Sequence, residues 1–223
     1  NSLRAIAPII ELSQDKKNYY ELFNVRFSQY VKSDFELIVK NILSNKYQRI
    51  IAYRFFGGLG IPLQNNLSLP FEKSYFGGGA NGIRGWTIRS LGPGSLNENN
   101  EYNVDQIGDI HLEANVEYRF KVYKILKGAL FIDAGNIWLL NPDPKRPDGE
   151  FNFSTFHKQI AINTGIGTRF DLNFFILRLD VGIPLKDPAL MEHERWFFQN
   201  KYLSNLERIT NLNTQKYKTT PIL

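Results

Sequence analysis

From Asp109 to Phe120 the chain alternates without a break. Ile110, Leu112, Ala114, Val116, Tyr118 and Phe120 fall on one side; Asp109, His111, Glu113, Asn115, Glu117 and Arg119 fall on the other. A period of two marks a strand with two unlike faces. The pattern returns in residues 159–171, where Ile160, Ile162, Ile166 and Phe170 oppose Asn163, Gly165, Gly167 and Arg169. It returns again from Phe175, where Leu177, Leu179, Val181 and Ile183 oppose Arg178, Asp180 and Gly182. Residues 24–40 alternate more loosely, with Val25, Phe27, Val31, Phe35, Leu37 and Val39 on one side. Residues 49–61 set Ile51, Tyr53, Phe55, Leu59 and Ile61 against Arg54 and Gly58. No long segment keeps apolar residues at helical spacing, and the best candidate for a short helix is residues 201–212. The expectation is an all-β chain.

Strand length narrows the architecture. Strands of globular proteins cluster at about 5–6 residues, whereas strands that cross a bilayer need about 9–11. The alternating segments reach or approach the longer figure. Their polar sides carry full charges in mid-strand and many of the 17 Gly. A wet, charge-networked barrel interior accounts for this, and so does the outer face of a soluble sandwich. Period alone leaves open which face looks inward; length favours the membrane barrel. The connections agree. Residues 120–124 and 171–173 are short, while 62–106 and 139–158 are long and rich in Gly, Pro and Asn. Short turns at one end and long loops at the other are the habit of membrane barrels. On that reading the loop containing Asn141-Pro142-Asp143-Pro144-Lys145-Arg146-Pro147-Asp148-Gly149 faces the cell exterior. No linker divides the 223 residues, so one domain is expected over 1–223.

Several chemistries are set aside by composition and spacing. With no Cys there is no disulfide scaffold, thiolate metal site or cysteine nucleophile. His111, His157 and His193 lie far apart, without metal-ligand spacing. No Ser sits in a nucleophile elbow. Gly77, Gly79 and Gly82 spell G-x-G-x-x-G, but the following Ile83-Arg84-Gly85-Trp86 and Leu91-Gly92-Pro93-Gly94 cannot supply the helix that a dinucleotide site requires. Glu113 and Glu117 share a face with Arg119, which reads as a charge network rather than an acid–base pair. No apolar run approaches the ~18 residues of a transmembrane helix, a test that does not bear on barrels. The net charge of +5 is thinly spread, and the loose group Lys201, Arg208, Lys216 and Lys218 reads as a solvated face, so no nucleic-acid partner is expected. An enzyme, a cofactor and a metal are likewise not expected.

The segment from Tyr75 to Gly94 is of another kind. It is a long loop with Gly77, Gly78, Gly79, Gly82, Gly85, Gly92 and Gly94, yet apolar Ile83 and Trp86 flank Arg84. A loop made only for water needs neither, and the glycines suit a chain that folds back into a cavity. Ile83-Arg84-Gly85-Trp86 resembles the [VI]RG[FY] loop motif of the BamA/TamA outer-membrane assembly family, also called bacterial surface antigens. Phe131-Ile132-Asp133-Ala134-Gly135-Asn136-Ile137-Trp138 resembles that family's F-x-D-x-G-x-[VI]-W strand. Gly165-Ile166-Gly167-Thr168-Arg169 and Leu177-Arg178-Leu179-Asp180-Val181-Gly182-Ile183-Pro184 resemble its last-but-one hairpin. Order and spacing fit over residues 47–187. Leu91-Gly92-Pro93-Gly94-Ser95 is most similar to TamA-like members of Bacteroidetes type.

The resemblance implies a transmembrane antiparallel barrel of sixteen strands, of which this chain holds about the last eight. The periplasmic POTRA domains and the first half of the barrel would lie outside it. After Arg84 it implies strands at 107–121, 124–138, 159–171 and 174–186, with another beginning at 216–223. Family chains close on an aromatic residue, whereas this sequence stops at Pro221-Ile222-Leu223, which reads as mid-strand; Asn1 reads as the start of a mature product or fragment. The implied site is Ile83, Arg84, Gly85 and Trp86, with Arg84 entering the barrel to pair with Glu113 and Asp133. The implied role is insertion or translocation of other outer-membrane proteins through a poorly paired seam, in the outer membrane of a Gram-negative bacterium. The implied partners are outer-membrane lipid, client outer-membrane proteins and accessory periplasmic or lipoprotein subunits. A two-partner-secretion pore or passive channel, and a soluble β-sandwich binding module, are the alternatives.

Overall fold

The computed structural model describes residues 13–14, 20–22, 25–63, 68–96, 105–172, 174–192 and 194–198. Three short strands, β1 Ser13–Gln14, β2 Tyr20–Leu22 and β3 Val25–Arg26, pair with one another. The body of the protein is a six-stranded antiparallel sheet in the order β4 Gln29–Ser44, β5 Arg49–Leu63, β6 Ile110–Tyr123, β7 Leu126–Trp138, β8 Ala161–Asp171 and β9 Ile176–Lys186. Each strand pairs with its neighbour in sequence, the up-and-down order of a barrel wall. Only two short 3₁₀ turns, Phe71–Lys73 and Phe156–Gln159, interrupt the β-structure among the described residues. The strands run from 11 to 16 residues, long enough to cross a bilayer when tilted. The expected strands at 107–121, 124–138, 159–171 and 174–186 are all present; each starts two or three residues later, and the ends at 138, 171 and 186 coincide. The expected strand at 216–223 and helix at 201–212 lie outside the described residues.

Burial settles which face looks inward. Along β7, Phe131 is 2% exposed and Asp133 is 0%, whereas Leu130 and Ile132 between and beside them are 50% and 53% exposed. The same inversion runs through β6, where Glu113, Asn115 and Glu117 are buried and Val116 is exposed. On β8 and β9, Arg169 is buried while Ile166, Leu179 and Val181 are exposed. Water would penalise such a wall, because apolar groups face out and charges face in. A bilayer reverses that preference. The soluble-sandwich alternative fails here, since its charged face would be the solvated one.

The short connections Asn45–Gln48, Lys124–Ile125 and 172–175 gather at one end of the sheet. At the other end the long segments fold back on the wall. Asp109 accepts backbone N–H groups of Leu69 (3.1 Å) and Leu140 (3.0 Å), tying both long loops to the start of β6. Burial holds its carboxyl above the usual range despite those donors. Asn136 donates to the carbonyls of Gly94 (2.8 Å) and Gln159 (2.6 Å), and Trp138 packs against Phe151 and Phe156. Residues 139–159 are therefore a folded cap, not a free loop.

Candidate functional site

The inner wall is organised in cross-strand rows set by register. One row is Arg54, Asn115, Asp133 and Asn163, from β5 to β8. The next row toward the short turns is Ala52, Glu117, Phe131, Gly165 and Gly182; the one beyond is Ile50, Arg119, Ala129, Gly167 and Asp180. The glycines leave a hollow beside Phe131 into which the loop between β5 and β6 descends. No helix follows Gly82; residues 79–86 are turns and bends, which removes the dinucleotide geometry.

Arg84 lies at the bottom of that hollow with its side chain 7% exposed. Its Nε and Nη2 donate to the two oxygens of Asp133 at 2.9 and 2.7 Å, the parallel fork that a guanidinium makes with a carboxylate. Its backbone N–H adds a third bond to Asp133 at 3.2 Å. Nη1 reaches Glu117 at 2.8 Å and Asp180 at 3.4 Å. The guanidinium also stacks 3.4 Å from the Phe131 ring centroid, a cation–π contact. Burial opposes its charge, yet Asp133 and Glu117 hold its pKa above the ordinary arginine value.

Glu113, expected as a second partner of Arg84, is instead paired with Arg54 and lies 3.2 Å from Nε2 of His111. The reason is strand geometry. Glu113 and Glu117 share the inner face but stand four residues apart, about 13 Å along the strand. Arg84 points toward the short-turn end and meets Glu117. Glu113 borders the loop at Gly82, where a Cβ would come within 3.0 Å of its Oε2. Asn115 joins the two groups of charges: its Oδ1 accepts from Arg54 (3.0 Å), and its Nδ2 donates to Asp133 (3.0 Å) and to the Gly82 carbonyl (3.1 Å). Asn163 donates to Asp133 from the opposite side at 3.0 Å.

Glu117 and Asp180 are balanced in turn. Arg119 and Arg169 each approach Glu117 at 2.6 Å, and Arg178 approaches Asp180 at 3.2 Å. Arg178 also donates to the Ala80 carbonyl (2.5 Å) and the Asn81 side chain (2.8 Å), holding the loop tip. Glu117, Asp180, Arg169 and Arg178 were not expected as members of the site. Alternation places all four on polar faces, which was the available signal; which of them meets Arg84 depends on how deep the loop descends.

The remaining motif residues fix that depth. Ile83 is fully buried and clusters with Leu91, Ala161 and the half-buried Trp86. Trp86 also bonds to Asp187 beyond β9. Gly85 presses against β8 and β9: a Cβ there would stand 2.6 Å from Cβ of Asn163 and 3.4 Å from the Pro184 nitrogen. Gly182 meets the other side of the same contact, with the Arg84 carbonyl 2.6 Å from where its Cβ would be. Such proximity of two backbones requires glycine. The arrangement is a mechanical latch, in which one buried cation ties the loop to β6, β7 and β9.

Comparison with known proteins agrees with this architecture. Residues 20–200 match the Omp85 superfamily domain. Over 155 residues, 66% of this chain, the sequence is 26% identical to the human sorting and assembly machinery component 50 homolog. The chain spans about a third of that relative's length, 32%. The match covers most of the chain, including the inverted wall and the loop docked on it, and the chain belongs to the Omp85 superfamily.

Proposed function

We propose that this chain is the C-terminal part of an outer-membrane barrel that inserts or translocates other outer-membrane proteins. The observation that carries the proposal is Arg84, buried at the inner wall and bonded to carboxylates on β6, β7 and β9. A latch of that kind stiffens the wall up to β9 while the barrel's closing edge is left to open. An edge strand with unpaired N–H and C=O groups can template a client strand. The work is strand exchange, with no covalent step and no cofactor. Client barrels and accessory periplasmic or lipoprotein subunits are the proposed partners, and the outer membrane of a Gram-negative bacterium is the proposed location. The relationship to an assembly-machinery component supports this reading over a secretion pore; the resemblance of Leu91–Ser95 to TamA-like members bears on the subtype and not on the choice between BamA-like and TamA-like roles.

Depletion of the full-length protein tests it. Other barrels should then accumulate unfolded, scored by heat-modifiable gel mobility. If barrels assemble normally and one secreted polypeptide is retained, the export-pore alternative replaces this one. The proposed orientation is tested by a protease site inserted between Pro144 and Lys145, where both residues are exposed. It should be cut on intact cells.

A further inference from the structure

The lipid-facing surface is not uniform at the short-turn end. Between the β4–β5 and β6–β7 turns lies an open cleft of about 580 Å³. Its floor is apolar and aromatic: Leu130, with Tyr118 and Phe120 stacked at 5.6 Å between centroids. By alternation these are residues of the outward face, continuous with the exposed apolar band that contains Ile132 and Val116. Its rim holds Lys46, Arg49, Lys121 and Lys124, and no carboxylate lines it. Among the described residues none of these four cations is in an ion pair; three of them lie over tyrosine rings. Lys46 and Arg49 approach Tyr47 at 5.5 and 5.2 Å, and Lys124 approaches Tyr123 at 5.5 Å. Register shifts between Ile42 and Ser44 and between Lys121 and Tyr123 bend the two hairpins where the cleft forms.

The inner wall pairs its arginines with carboxylates, so unneutralised charge gathered at the edge of an apolar surface needs its own explanation. We propose that this cleft binds an anionic glycerophospholipid, with the phosphate among Lys46, Arg49, Lys121 and Lys124 and an acyl chain over Tyr118, Phe120 and Leu130. Charge complementarity selects the headgroup, and continuity with the lipid-facing band selects a lipid over a soluble anion. The tyrosines suit the boundary, since they offer an apolar ring and a polar tip. This inference rests on the orientation of the wall and is independent of the proposed client assembly.

The test uses the full-length protein reconstituted in vesicles of equal parts phosphatidylcholine and phosphatidylglycerol. After extraction in mild detergent, retained lipid is counted by native mass spectrometry. Phosphatidylglycerol should be enriched, and each cation changed to Gln should reduce that enrichment by roughly fivefold. Arg49→Gln alone should show the single step, and Lys46→Gln/Arg49→Gln/Lys121→Gln/Lys124→Gln should abolish the preference while keeping the folded gel mobility. Lys40→Gln, on the lumen side, should leave it intact. Excess inorganic phosphate should displace little phosphatidylglycerol; full displacement would reassign the cleft to free anions. Equal enrichment in the wild type and in the Arg49→Gln and quadruple variants would overturn the proposal.

Discussion

Replacing Arg84 with Ala removes the guanidinium from a site where its side chain is 7% exposed. Three carboxylates feel the loss unequally. Glu117 keeps Arg119 and Arg169, and Asp180 keeps Arg178. Asp133, 0% exposed, keeps the amides of Asn115 and Asn163 and the loop's own N–H, but among the described residues no second cation. The cost is therefore that of one buried carboxylate stripped of its partner, about 3–5 kcal/mol. It falls on docking of the loop, because the strand ladders do not run through Arg84. Hydrogen exchange across residues 77–94 of the full-length protein in vesicles should accelerate roughly a hundredfold or more, while strand amides stay protected. Arg84→Lys keeps the charge without the fork and should fall between. A double-mutant cycle with Asp133→Asn isolates the pair and should give a coupling of at least about 1 kcal/mol. If the two changes add to within about 0.5 kcal/mol, the pairing contributes nothing and the reasoning is wrong.

Leu37 and Ile38 are neighbours, 51% and 54% exposed, and by alternation face lipid and lumen respectively. Leu37→Arg should cost about 2–4 kcal/mol in urea titrations in lipid vesicles, and Ile38→Arg little, so equal costs would undo the facial assignment. Gly85→Ala forces a Cβ to within 2.6 Å of Asn163 and should displace the loop, costing about 1–3 kcal/mol by the same exchange measurement; unchanged exchange would show that the close fit is relaxed in solution. The Asp109 carboxyl is held above its ordinary range by burial, so the folded state takes up its proton before the unfolded state does. Anchoring of residues 139–159 should therefore tighten as pH falls from neutral toward the ordinary carboxylate range. Asp109→Asn should flatten that dependence in a protease-protection series, and a slope retained in the variant would assign it to another group.

Alternation made the wall legible. Between the register shifts at Lys121/Tyr123 and Ile162/Asn163, the inward residues of β6 through β9 could be placed by counting from Glu113, Asp133, Arg169 or Asp180. Whether that face met water or protein could not be read, because period two is the same in a sandwich and a barrel; burial decided it at Phe131, Ile132 and Asp133. The Arg84 motif and its Asp133 partner were visible as a resemblance. Glu113 was misplaced because motif matching carries no depth. A loop that descends two rows further exchanges Glu113 for Glu117 and draws in Asp180 from a strand nearly 100 residues away. The lipid cleft was hidden for a similar reason: Lys46, Arg49, Lys121 and Lys124 are scattered in sequence and meet only when the hairpins stand side by side.

The measurement that bears most directly on the account couples the latch to client assembly in cells. Full-length wild type, Arg84→Ala and the swap Arg84→Asp/Asp133→Arg would each replace the native protein, at matched levels and with folded gel mobility confirmed. Assembly of newly made outer-membrane barrels would then be followed by heat-modifiable mobility. Assembly should slow when Arg84 is removed, in step with loss of loop protection, and the swap should restore both in part. Normal assembly by Arg84→Ala, with its loop shown to be undocked, would contradict that coupling.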